Sequence, residues 1–182
     1  MGLNNVSFQK TDAFASGFPP ASFDLVHSRF AVSVIKNGLG ILDHMLILVR
    51  PGGLLFLEEA NTTTMECAPA NPDWDRALDL MRETFSHIGA NTRIGLELHA
   101  ILQKKGLQDL KVRPCLHALG CNDPMALHLP DTLAMMRGAI TDNGLMDGAE
   151  LDGLIHRTRA HLSRPETITV SFSTVQLVGR VS

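Results

Sequence analysis

The chain has 182 residues, enough for one domain with a buried core and few for two. Hydrophobic residues make up 45 %, which excludes a wholly disordered chain, and a net charge of −3 without any basic run disfavours nucleic acid or an anionic membrane as partner. No apolar stretch nears the ~20 residues of a membrane span.

Met1 to Thr11 is polar and has no apolar signal-peptide segment. Three cysteines, Cys67, Cys115 and Cys121, suit a reducing cytosol better than a disulfide framework, so a cytoplasmic protein is expected.

Val6 to Lys10 alternates and reads as a short strand. Phe14 to Ser22 is rich in Gly, Pro and Ser and reads as a loop. Phe23 to His27 is a more continuously apolar strand, expected in a central position. Ala31 to Val49 is a helical stretch carrying Ile41, Leu42, Met45 and Leu48, stopped by Arg50-Pro51-Gly52-Gly53. Leu54 to Glu59 is the next strand. Asn71-Pro72-Asp73 opens a helix that runs to about His87 and ends at Gly89. A second helix covers about Arg93 to Lys105 and stops at Gly106. Lys111 to His117 is a candidate strand. Pro124 to Ser163 is mostly helical, broken near Asp142-Asn143-Gly144 and Asp147-Gly148, and Thr167 to Val181 is a long strand-like run. This order predicts an α/β fold with a parallel sheet at its front, a late helical cap (about 124–163) and an antiparallel last strand, all within a single domain over 1–182.

Ala21 to Phe30, followed about twenty residues later by Leu48 to Glu59, resembles class I S-adenosylmethionine-dependent methyltransferases. The two stretches resemble that family's fourth strand and the helix end and fifth strand. Asn5 to Ala13 resembles its third strand and acidic turn, Gly106 to Pro114 the approach to the sixth strand, and Thr167 to Arg180 the last strand. The late part is similar, more loosely, to small-molecule methyltransferases of fungal metabolism. The resemblance implies an incomplete Rossmann-like sheet with helices on both faces. It also implies that the chain starts at the third strand, without the family's glycine-rich cofactor turn.

The resemblance makes Asp12 the acid that accepts from the adenine amino group and Ala13 its neighbour, both vestigial here. His27, Arg29 and Phe30 end a strand where parallel sheets place ligands. Glu58 and Glu59 end the next strand and Asn61 follows; alternation sends one carboxylate to the pocket and leaves the other as a solvated charge. His27, Arg29, Glu58 and His128 are the candidate catalytic groups. Phe30, Asn61, Trp74, Phe85, Met135 and Met136 are candidate substrate contacts lining an apolar cavity under the cap. Cys115, His117 and Cys121 match no standard zinc spacing, so no metal is expected.

The expected function is therefore that of a methyltransferase-like protein which uses its substrate cavity on a hydrophobic metabolite, for cyclisation, pericyclic closure or isomerisation, with no cofactor. Ordinary methyl transfer with a partner or a longer chain supplying the cofactor half is one alternative. A non-catalytic partner of a full-length methyltransferase is another. The apolar edge left on the Phe23–His27 strand predicts a homodimer or larger assembly.

Overall fold

A computed structural model describes residues 4–182. In chain order its elements are strand β1 (Phe23–Arg29), helices α1 (Ala31–Val34) and α2 (Gly38–Leu48), strands β2 (Val49–Asn61) and β3 (Glu66–Ala68), and helices α3 (Pro72–His87) and α4 (Ile94–Lys104). There follow β4 (Gln108–Cys115), β5 (Ala118–Gly120), helices α5 (His128–Met135), α6 (Arg137–Asp142) and α7 (Gly148–Leu162), and strands β6 (Ile168–Val170) and β7 (Ser173–Arg180).

The main sheet runs β1-β2-β7-β4. β1 and β2 are parallel, with Arg29 opposite Glu58, while β7 inserts antiparallel between β2 and β4. Period-two alternation gives the sheet two unlike faces. Leu55, Leu57, Val175 and Leu177 are buried against Ile41, Leu42 and Met45 of α2 and Ile94, Leu98 and Leu102 of α4. The other face carries Leu25, His27, Arg29, Leu54, Phe56, Glu58, Gln176 and Val178, all half-buried or exposed. A second core joins Trp74, Leu78 and Met81 of α3 to Leu129, Leu133, Ile140, Leu151 and Leu154 of the cap helices.

Local chemistry explains several helix ends. The Asn71 side chain accepts from the Trp74 N–H at 2.9 Å and caps α3, with Pro72 in its first turn. Asp147 caps α7 through the Ala149 and Glu150 N–H groups. Gly89 and Gly106 follow α3 and α4 in the left-handed conformation that glycine adopts without strain.

Four expectations need correction. Val6 to Lys10 forms no strand, because no neighbouring strand meets it and an isolated extended segment has no ladder partner. Phe23 to His27 lies at the sheet edge, with β2 as its sole neighbour among the described residues. The Ala31–Val49 helix is broken: Asn37 turns left-handed, and a Cβ on Gly38 would sit 2.1 Å from the Val32 carbonyl oxygen. The strand placed at Lys111 to His117 runs instead from Gln108 to Cys115, set by its register with β7. A small second sheet, β3-β6-β5, had no counterpart in the sequence reading, since three-residue strands carry no periodic signal. The antiparallel course of the last strand is as expected.

Candidate functional site

Because β1 and β2 are parallel, their carboxyl ends lie together, the position where open α/β sheets hold ligands. Glu58 is the centre of the group there. Its carboxylate lies 3.3 Å from Arg29 Nε and 3.9 Å from His27 Nε2, and the Gln176 amide donates to it at 3.4 Å. The Glu58 side chain is only 17 % exposed, while Arg29 and His27 are far more open to solvent. His27 stacks on Phe56 with ring centroids 4.8 Å apart.

Phe30 follows directly, held in a left-handed conformation (φ 58°) that a phenylalanine rarely adopts, while its N–H donates to the Glu58 carbonyl at 2.8 Å. The Arg29 guanidinium lies 4.7 Å from the Phe30 ring centroid. Phe30 meets Phe172 edge-on at 5.6 Å, and Phe172 meets His128 at 5.1 Å. An aromatic wall thus links the carboxylate group on the sheet to an imidazole on the cap. Burial lowers the His128 pKa from its ordinary 6.5, with Asp131 pulling the other way, so the ring is neutral at neutral pH.

Alternation separates Glu58 from Glu59 as expected, but Glu59 is not a solvated charge. It is fully buried on the opposite face, where its two oxygens accept from the Val32 and Ser33 N–H groups at 3.1 and 2.9 Å and close the start of α1. Burial raises its pKa above 4.5, against those hydrogen bonds.

The remaining candidates scatter. Asn61 is buried and spends its amide on Ser173, Thr63 and the turn after β2. Trp74 lines a cleft with His128, Phe172, Met65 and Met125, but that cleft encloses only about 20 Å³, room for about one water. Phe85 and Met136 pack into the cap core, and Met135 is 82 % exposed. The wide apolar cavity expected under the cap is therefore filled by side chains. A wider and mainly apolar hollow lies elsewhere: about 390 Å³ beside β1, lined by Ala13, Ser16, Val26, His27, Ile41 and Met45 among others. The Ser28 Oγ is buried at this hollow without a hydrogen-bond partner. Asp12 is exposed and accepts from the Phe14 N–H at 2.8 Å in a tight turn. Among the described residues, no cluster of three His, Cys, Asp or Glu side chains could hold a metal ion.

Phe172, Phe56 and Gln176 escaped sequence reasoning. The first sits where the long C-terminal run breaks between β6 and β7, and the others join the site through cross-strand register alone.

Residues 2–57 match the family model described as Methyltransferase domain. The fold agrees: a Bacillus halodurans protein described as a candidate methyltransferase superposes with a TM-score of 0.58 at 12 % identity, over 98 % of this chain and 73 % of that one. The chain thus has a methyltransferase-like fold, and its first third matches the methyltransferase family model. A second structure of this fold, described as a candidate type II methyltransferase from Anaeromyxobacter dehalogenans, gives a TM-score of 0.54 at 17 % identity, over all of this chain and 74 % of that one. Methyltransferase str3 of Strobilurus tenacellus is 39 % identical over 57 residues, 31 % of this chain. The matched region spans about a fifth (21 %) of that relative's length. No helix among the described residues is long and apolar enough to cross a membrane.

Proposed function

We propose that the chain acts on a hydrophobic small-molecule metabolite at the carboxyl ends of β1 and β2, by cyclisation or isomerisation and without S-adenosylmethionine. The observation that carries this reading is the line from Glu58, with Arg29 and His27, along Phe30 and Phe172 to His128. It offers a carboxylate, a guanidinium and a neutral imidazole on either side of an aromatic wall. One group can take a proton from a bound carbon acid while another returns it elsewhere, leaving the mass unchanged. The Arg29 guanidinium can stabilise negative charge that develops between the two steps. The aromatic wall supplies apolar contact and orientation.

Ordinary methyl transfer is the second reading, favoured by the identity to Methyltransferase str3. S-adenosylmethionine would supply an electrophilic methyl group. Asp12, Ala13 and the unpartnered Ser28 hydroxyl suit at most one edge of such a cofactor, and no glycine-rich turn joins a strand to a helix among the described residues. The described residues therefore do not fit the whole cofactor, and no methyl-transfer step is assigned to them.

The test is incubation of the purified chain with polyunsaturated or carbonyl-bearing biosynthetic intermediates in the absence of cofactor, followed by chromatography and mass spectrometry. A new isomer of unchanged mass is expected. A product heavier by one methylene, formed only with S-adenosylmethionine, would replace this reading with the second.

A further inference from the structure

Among the described residues, β1 leaves one side of its backbone without a strand partner. The Phe30 N–H points to β2, so by alternation Val26 and Ser28 also face β2, and Leu25, His27 and Arg29 turn their N–H and C=O groups outward. Such an edge is a template for another strand. The 390 Å³ hollow lies along it, lined chiefly by apolar side chains including Leu25, Val26, Ile41 and Met45.

The same chain carries a matching piece. Val6 and Phe8 stand two residues apart, on one face of an extended segment. Phe8 is 95 % exposed and Val6 49 %, and the segment belongs to no sheet. An apolar pair held in water and an apolar hollow beside an open edge are complementary in pattern.

We propose that Val6–Lys10 of one copy pairs as an added strand along the β1 edge of a second copy, reciprocally, with Phe8 seated in the hollow beside Ile41 and Met45. Reciprocity follows from two-fold symmetry, which satisfies both edges at once and leaves no open end. Two Phe8 rings contribute roughly 150–250 Å² each. With Val6, Leu25 and the paired backbones, the exchange buries on the order of 1,000–1,400 Å² in total, the lower end of specific interfaces. A weak, micromolar dimer is the consequence. The added strand runs past His27, so the partner copy would wall one side of the candidate site.

Sedimentation velocity from low micromolar to about 100 µM decides the matter. The wild-type chain should show a reversible dimer, and Phe8→Asp should weaken it at least about tenfold, since a buried carboxylate replaces the ring. Phe8 is exposed in the single chain, so the variant keeps its fold, which circular dichroism verifies. A labelled peptide of the sequence from Asn4 to Thr11 should bind the Phe8→Asp protein saturably. A wild-type chain that stays monomeric overturns the proposal. So does a dimer indifferent to Phe8→Asp, which would assign the contact to direct pairing of two β1 edges or to the open sheet face. Peptide that fails to bind also counts against it.

Discussion

Glu58 and Glu59 are neighbours in sequence with opposite work. The pleat sends Glu58 to the open face with Arg29, and Glu59 into the core beneath α1. Glu58→Gln keeps the shape and the Gln176 contact but removes the charge. It should lower turnover by about 10²–10⁴-fold if Glu58 moves a proton, with little change in unfolding midpoint. Steady-state kinetics on whichever intermediate the chain isomerises measures it. His128 gives a pH signature. Burial holds its folded pKa below 6.5, so the unfolded chain binds a proton first as the pH falls. The stability due to the neutral ring is complete above about pH 6.5 and is lost as the pH drops through that value towards the folded pKa. Glu59, raised above 4.5, works in the opposite sense: its contribution is present below 4.5 and lost as the pH rises through its folded value. Urea unfolding between pH 7 and pH 5 should therefore show a flatter pH dependence for His128→Gln than for the wild type. Strand ends and charge made Glu58, Arg29 and His27 legible in the sequence. The buried role of Glu59 was not legible, because alternation separates two faces without saying which of them the helices cover. Phe172 gave no signal, since its importance comes from a strand break.

At the scale of elements, the close approach of Gly38 to Val32 is the sharpest constraint. A Cβ there would stand 2.1 Å from a backbone oxygen, so Gly38→Ala must shift the turn between α1 and α2. The expected loss is about 2 kcal/mol or more, read from denaturant midpoints, whereas an unhindered helical glycine would gain on the same change. Elements with chemical punctuation were legible: Asn71-Pro72 before α3, Gly89 and Gly106 after helices, and Asp147 before α7. The break at Asn37 was not, because Ile41, Leu42, Met45 and Leu48 keep helical spacing just beyond it and mask the short α1. Val6 to Lys10 shows the converse: its alternation is real, yet among the described residues no strand is paired with it.

At the scale of the molecule, one sheet face is packed by α2 and α4, and the other, with the β1 edge, is open. The methyltransferase-like fold was legible because the order and spacing of several weak strand and turn signals agree, though each alone is common. The candidate catalytic groups cluster where those strands end, while Asp12, Ala13 and the hollow beside β1 are what the described residues offer to a cofactor. That imbalance supports the proposed catalysis by the chain's own side chains. The Phe8-dependent dimer would change the shape of the hollow without changing this assignment. Isothermal titration of the purified chain with S-adenosylmethionine separates catalysis without the cofactor from methyl transfer. No saturable heat is expected at micromolar concentrations, and saturable micromolar binding would overturn the cofactor-free reading.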